Sequence, residues 1–339
     1  MTYEEILKRQ AQLLPKSINW WPNFFYHFTD IHNAVNILSD GWIMSREKIK
    51  NTNRMINDNA SRMVIDATIN ENKKYARLYF RPLTPTQYHN EGYKPKILRQ
   101  LEADCPVPVF FCLNSAQILN YPGTKFAEKG LAGGRHNIKT GVDAFSELNF
   151  DKIYHDGWYD SSCDNDIKYY RLSEIINKKG FPLEPFLQCI LCRSVAEKDM
   201  LLYLLQRRSK NLYEKYKKKI IFRPKLKCFN SNHTGIFIKE VYMDDSDLYI
   251  IFNDAEQRYT HEEEIIDFVV SIEISYLTDD KKIINTVYLS EQFNYTKIRG
   301  CEVDNLEIPE EAYFIRIKVT FDDCEMYKNE IYVPYSEFW

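Results

Sequence analysis

The chain has 339 residues, 44% hydrophobic, 14% aromatic and 27% charged, which is enough to close a sizeable core and suggests two domains. That composition excludes a largely disordered chain, and the absence of any apolar run of about 18 residues excludes a membrane-spanning helix. The net charge of −3 hides an asymmetry: residues 1–227 hold 36 Lys and Arg against 24 Asp and Glu, whereas residues 228–339 hold 9 against 24, so a polyanion should prefer the first two-thirds.

The N-terminal stretch MTYEEILKRQAQLL is charged throughout, lacks the apolar run of a signal peptide, and predicts a short amphipathic helix over 3–14. FFYHFT (24–29) reads as a buried strand. Asp30 then stands where a helix N-cap belongs, Ala34, Val35, Ile37 and Leu38 recur at helical spacing, and Gly41 falls at the expected C-terminal cap. Residues 50–75 are polar and Asn-rich and read as loop with one helix. RLYFR (77–81), closed by Pro82 and Pro85, is a second strand, and VPVFFCLN (107–114) a third. Residues 121–168 show little periodicity and read as a long functional or mobile loop. FLQCILC (186–192) is a core strand, and Ser194 with Glu197 forms a capping box for the helix that follows.

Residues 207–227 carry a dense run of Lys and Arg. Beyond them come six strand-like runs separated by acidic turns, from GIFIKEVYM to NEIYVPY, as in an antiparallel sandwich or small barrel. The expected division is 1–222 and 223–339.

Eight cysteines at irregular spacing read as reduced thiols of a cytoplasmic protein. Cys189 and Cys192 have C-x-x-C spacing, but they lie in an apolar strand with no second pair, so they read as core. GLAGGR (130–135) does not follow a strand as a phosphate loop would, and there is no G-x-S-x-G elbow or H-E-x-x-H site. Two polar residues stand in apolar surroundings. His27 interrupts an aromatic strand, where it is either a satisfied core histidine or a ligand-binding one. Glu174 sits in YYRLSEII, where it is either on a helix surface or a buried carboxylate needing donors.

Four segments in order resemble the DarT family of DNA ADP-ribosyltransferases. NWWPNFFYHFTDIHNAVNILSDG is similar to the family's Y-H-[FIY]-T strand and N-x-x-x-I-L helix. LYFRPLTPTQYHNEGY resembles its YF-x-P-x-x-P-x-x-Y segment, VPVFFCLNSAQIL its next strand and helix, and YYRLSEIINKKGFPLEPFLQCILCRS its catalytic-Glu region. The resemblance covers roughly residues 20–205 and leaves the β-rich tail unmatched. It implies an α+β fold, an ADP-ribosyltransferase-like split β-sheet core with flanking helices, followed here by a C-terminal all-β, sandwich-like domain. It also implies transfer of ADP-ribose from NAD onto a thymine or guanine of single-stranded DNA, as a bacterial toxin or phage-defence effector, reversed by an antitoxin protein. No metal and no membrane are implied.

By resemblance Glu174 is the catalytic glutamate, and Arg62, in preference to Arg54, is a functional arginine. His27, Thr29, Asn36, Tyr79 and Tyr88 form the NAD pocket. Lys168, Tyr169, Tyr170 and Arg171 offer the stacking faces and cations that a nucleobase needs. The chemistry agrees: glycosidic cleavage passes through an oxocarbenium-like state that a carboxylate stabilises. An enzyme acting on RNA or protein, or a non-catalytic nucleic-acid-binding module, remains open on sequence grounds.

Overall fold

The computed structural model describes residues 1–50, 70–99, 104–131, 137–160, 165–258, 260 and 266–333. Its strands are β1 (Phe24–Asp30), β2 (Trp42–Ile43), β3 (Ala76–Tyr79), β4 (Pro108–Asn114), β5 (Lys125–Ala127), β6 (Ile138–Lys139), β7 (Glu174–Asn177), β8 (Phe181–Pro182), β9 (Leu187–Cys192) and β10 (Ile220–Phe222). They continue with β11 (Ile238–Asp244), β12 (Asp247–Phe252), β13 (Asp267–Leu277), β14 (Ile283–Asn294), β15 (Gly300–Val303), β16 (Phe314–Phe321) and β17 (Cys324–Tyr332).

Aromatic and β-branched side chains on both faces of a strand favour a central position in a sheet. Phe25 and Tyr26 point to opposite faces of β1 and are both fully buried, and β4 is buried along nearly its whole length. These two strands form the middle of an eight-stranded sheet of order β10-β9-β4-β1-β3-β7-β5-β6. β1 pairs with β4 along all seven residues, from Phe24 opposite Asn114 to Asp30 opposite Pro108. On its other side β1 meets β3 only at Tyr26 opposite Tyr79. The sheet is therefore split at that seam.

The helix Ile31–Asp40 starts where Asp30 accepts the His32 N–H at 2.9 Å and stops at Gly41, whose φ of 70° is the left-handed conformation glycine tolerates. β3 ends at Tyr79 rather than running to residue 81: Arg81 leaves the strand, its Nε donating to the Pro82 carbonyl and its guanidinium lying 4.4 Å over Trp21. The region 121–168, expected as loop, contains β5, β6 and the short helices Val142–Ser146 and Phe150–Ile153. Such brief elements leave no periodic signature, and β5 forms because β7 lies beside it.

Ser194 caps the helix Val195–Arg208 by accepting the Glu197 N–H at 3.1 Å, but only half of the expected capping box forms. The Glu197 carboxylate takes the N–H and Nε of Arg193 instead, at 3.1 and 3.0 Å. Arg193 lies 4.0 Å over the Phe237 ring and 3.7 Å from a second buried carboxylate, Glu91. Burial pushes the Glu197 carboxyl up to about 7, against the lowering effect of Arg193.

The C-terminal region holds a three-stranded sheet, β11-β12-β15, and a four-stranded sheet, β14-β13-β16-β17. One strand more than the six expected is present, because the four-residue β15 is too short to stand out in sequence. The architecture turns all-β after β10, yet the buried core does not divide there. One apolar cluster runs from Ile6 to Val333. Tyr93 packs on Phe268 and Phe321 with ring centroids 5.6 and 5.3 Å away, and Glu91 accepts the Asn230 side chain at 2.8 Å. Gly235 approaches Gly92 so closely that a Cβ there would lie 2.4 Å from a backbone carbon.

Replacing Arg193 leaves two buried carboxylates without their cation. Arg193→Met is expected to lower the unfolding free energy by about 3 kcal/mol or more, read from the urea midpoint. An unchanged midpoint would show that this cluster does not tie the β region to the mixed sheet.

Candidate active site

Strand register aligns two of the sequence-predicted residues, Tyr79 and Glu174, with Tyr26, while His27 alternates to the other face of β1. Tyr26 faces Tyr79, Tyr79 faces Glu174 across β3 and β7, and Glu174 faces Ala127 of β5. Paired residues share a face, so Tyr26, Tyr79 and Glu174 form one row across the sheet. Glu174 is the first residue of β7 and is 4% exposed. This rules out the helix-surface alternative for it.

A buried carboxylate needs donors. Among the described residues Glu174 has two: the Leu131 N–H donates to Oε2 at 3.0 Å, and the Arg77 guanidinium lies 3.4 Å from Oε1. Arg77 also donates through Nη2 to the Asn72 carbonyl at 3.1 Å. Neighbouring Tyr79 has its phenol pushed up to about 12, first by burial and then by the Glu174 charge.

His27, one residue past the Tyr26 bridge, occupies the split. Its Nδ1 lies 3.3 Å from the Arg77 carbonyl, and its ring packs edge-on to Phe111 with centroids 6.2 Å apart. Burial pulls its pKa down to about 4, with the Arg77 carbonyl acting in the opposite direction. At neutral pH the ring is uncharged. Because a carbonyl can only accept, Nδ1 carries the proton and Nε2 is left with a lone pair. Among the described residues no protein group is bonded to that Nε2. Arg77 thus links His27 through its main chain to Glu174 through its side chain.

The other predicted residues are more dispersed. Thr29 is buried on β1, and Asn36 lies half-buried on the helix Ile31–Asp40. Tyr88 stands on the helix Pro85–Asn90, its ring against His89 and His233, neither of which belongs to the Glu174 row. Arg54 and Arg62 lie outside the described residues. Lys168 and Tyr169 are exposed on the helix Asn165–Tyr170. Tyr170 has the ammonium groups of Lys129 and Lys152 at 4.9 and 5.2 Å from its ring. Arg171 is turned inward, bonding His155 Nδ1 at 2.8 Å and lying 4.5 Å over Tyr159.

Three residues escaped the sequence reading. Arg77 is the one that touches Glu174; its signal was the A-R-L-Y alternation, in which Arg77 and Tyr79 share a face opposite buried Ala76 and Leu78. Trp158 and Tyr159 lie in the segment between β6 and β7, and Trp158 is 87% exposed. The backbone beneath Trp158 is anchored from two sides. Arg81 donates to the His155 carbonyl, and Arg171 donates to the Gly157 carbonyl. In contrast, several cations of 207–227 are internally engaged: Lys215 with Glu184, Lys217 with Glu214, and Lys227 with Asp156.

Among the described residues, one carboxylate group is close enough to hold a metal ion: Asp247, Glu302 and Asp304 on and beside β12 and β15, outside the Glu174 row. No helix among the described residues is long and apolar enough to cross a membrane.

Keeping His27 neutral contributes stability that is present above the unfolded value of about 6.5 and lost as pH falls toward 4. The loss is at most about 3 kcal/mol. The stability of His27→Gln relative to the native chain is therefore expected to rise as pH falls across that window, measured by urea unfolding. A difference independent of pH would contradict a half-buried neutral imidazole.

The geometry can be set beside known proteins. Three solved structures share parts of the trace. Thermus sp. 2.9 DarT in complex with NAD+ is 15% identical, with 60% of this chain and 96% of that chain covered and a TM-score of 0.46. The same Thermus protein in complex with ADP-ribosylated ssDNA is 16% identical, with 60% and 95% covered and a TM-score of 0.47. Thermosipho africanus DarTG in complex with ADP-ribose is 15% identical, with 65% and 53% covered and a TM-score of 0.44. No curated protein matches significantly. The decisive match is the family model described as "ssDNA thymidine ADP-ribosyltransferase, DarT", which spans residues 26–226 and so includes most of β1, the Glu174 row and β9. Matching more than half of the chain, it shows that this protein belongs to the DarT family of NAD-dependent single-stranded-DNA thymidine ADP-ribosyltransferases.

Proposed function

We propose that this chain transfers ADP-ribose to thymine through Glu174, with His27 holding a ribose of NAD and the segment around Trp158 receiving the DNA. The observation that carries this reading is the buried Glu174 carboxylate, held by two donors within the family match. NAD, when bound, supplies the ADP-ribosyl group and nicotinamide as leaving group. Transfer breaks the bond from ribose C1′ to nicotinamide and forms one from C1′ to a base nitrogen. Glu174 stabilises the positive charge on the ribose and accepts the proton released by that nitrogen.

The pocket residues suit this task. With Nδ1–H directed at the Arg77 carbonyl, His27 Nε2 is an acceptor, matched to a ribose hydroxyl as donor. Thr29, Asn36, Tyr79 and Tyr88 complete the proposed NAD pocket, with Tyr88 the most remote in its contacts. Trp158 and Tyr169 offer exposed faces for base stacking, and Lys168 a cation for phosphate. Arg171 supports that surface from beneath. Arg62 remains a proposed contributor by resemblance alone. The partner implied by the family resemblance is an antitoxin that removes the mark, in a cytoplasmic toxin–antitoxin or phage-defence setting.

The β-rich tail, with its excess of acidic residues, is proposed as a cap built into the transferase. Its residues fill one core with the mixed sheet, and Glu325 lies 3.3 Å from His32 at the start of the helix Ile31–Asp40.

Glu174→Gln keeps the shape and removes the charge. It should reduce transfer by a factor of about 100 or more with the fold intact, as for loss of a preorganised electrostatic group. Native-rate labelling of DNA by a folded variant would exclude Glu174. His27→Ala should raise KM for NAD more than it lowers kcat, because its hydrogen bond is made before and during reaction. Trp158→Ala should weaken single-stranded DNA binding by about 5- to 100-fold, the range for one stacked base, with KM for NAD unchanged. Equal DNA affinity would place the base elsewhere.

A further inference from the structure

The geometry points to Arg77 as the residue that positions Glu174, so that the reactive carboxylate is oriented from the neighbouring strand. This inference rests on the assignment of Glu174 as the catalytic carboxylate. Arg77 lies on β3, two residues before the Tyr79 that faces Glu174, and on the same side of the sheet. Its Nη1 reaches Glu174 Oε1 at 3.4 Å while Nη2 is fixed on the Asn72 carbonyl at 3.1 Å. A planar guanidinium held at one nitrogen restricts where the other can point. The Leu131 N–H holds the second carboxylate oxygen from the opposite side. Both oxygens are thereby committed to directions, and rotation about the last side-chain torsion is opposed by two bonds.

Arg77 has a second link to the site. Its carbonyl accepts from His27 Nδ1 across the split. One residue therefore ties the proposed ribose-binding imidazole to the carboxylate, main chain to the first and side chain to the second. A substitution at 77 keeps the main-chain link and removes only the side-chain one. Because a quarter of the Arg77 side chain is solvent-exposed, at 25%, a small cation can enter the space its removal leaves.

The test compares the full chain with Arg77→Ala, Arg77→Lys and Glu174→Gln, following transfer from labelled NAD to a thymidine-containing oligonucleotide. Arg77→Ala should lower kcat by about 10- to 100-fold, the worth of one charge-assisted hydrogen bond, while KM for NAD changes by less than about threefold. Guanidinium chloride at about 20 mM should restore at least about a third of the native rate, and the same concentration of sodium chloride should not, because only the planar cation repeats the lost donors. Arg77→Lys should fall between the two, since one ammonium cannot hold Asn72 and Glu174 together. A folded Arg77→Ala with native kcat, or one that guanidinium fails to rescue, overturns the role. If Arg77→Ala does not fold, Arg77→Lys decides: native kcat overturns the proposal, and a kcat loss with native KM supports it. Native transfer by Glu174→Gln removes the underlying assignment, whereas loss in Glu174→Gln beside an unimpaired Arg77→Ala removes the Arg77 role alone.

Discussion

A carboxylate stripped of nearly all its water must be given donors by the protein, and that requirement organises this molecule. Glu174 opens β7, and its two oxygens are met from two directions. The Leu131 N–H arrives because β5 pairs with β7 and carries the following residues over the site. The Arg77 guanidinium arrives because β3 pairs with β7 on the other side. Moving any of the three strands by one residue would turn a donor to the wrong face. The register of the sheet is thus the condition for the carboxylate to keep both donors.

The split beside this row is the second constraint. β1 and β4 pair over their full length, whereas β1 and β3 touch at one residue pair. A continuous ladder there would bury the backbone groups that His27 now faces. The opening leaves a neutral imidazole with one nitrogen engaged and one lone pair directed away from the protein's own hydrogen bonds. The proposed transfer uses this arrangement, with the carboxylate for the developing cation and a neutral group to hold a hydroxyl. The β-rich tail supports this frame. Its contacts through Tyr93, Glu91 and Gly92 fasten the segment after β3, and the Glu91–Arg193–Glu197 cluster fixes the start of the long helix Val195–Arg208.

Much of this was legible in the sequence because it depends on local pattern. Apolar runs marked β1, β4 and β9, and Asp30 with Gly41 marked both ends of one helix. His27 stood out in an apolar strand and Glu174 in an apolar segment whose strand was not anticipated, and the resemblance suggested roles for them. What was not legible depends on long-range pairing. β5, β6 and β15 have two to four residues each and exist because a neighbour supplies hydrogen bonds. Arg77 was not singled out in its short strand, because only the pairing of β3 with β7 sets it on the face that Glu174 occupies. Glu197 read as half of a capping box, since nothing local announced that Arg193 would claim it. Arg171 read as a cation for DNA, and nothing local announced its bonds to His155 and Gly157 or its place over Tyr159.

The most direct test of the central claim is to incubate the purified full chain with NAD and an oligonucleotide containing all four bases, single-stranded or annealed to its complement, and to locate the product by mass spectrometry. The account predicts one ADP-ribose on thymidine of the single strand and much less on the duplex, with the product lost in Glu174→Gln. Modification of another base, or equal modification by Glu174→Gln, would contradict it.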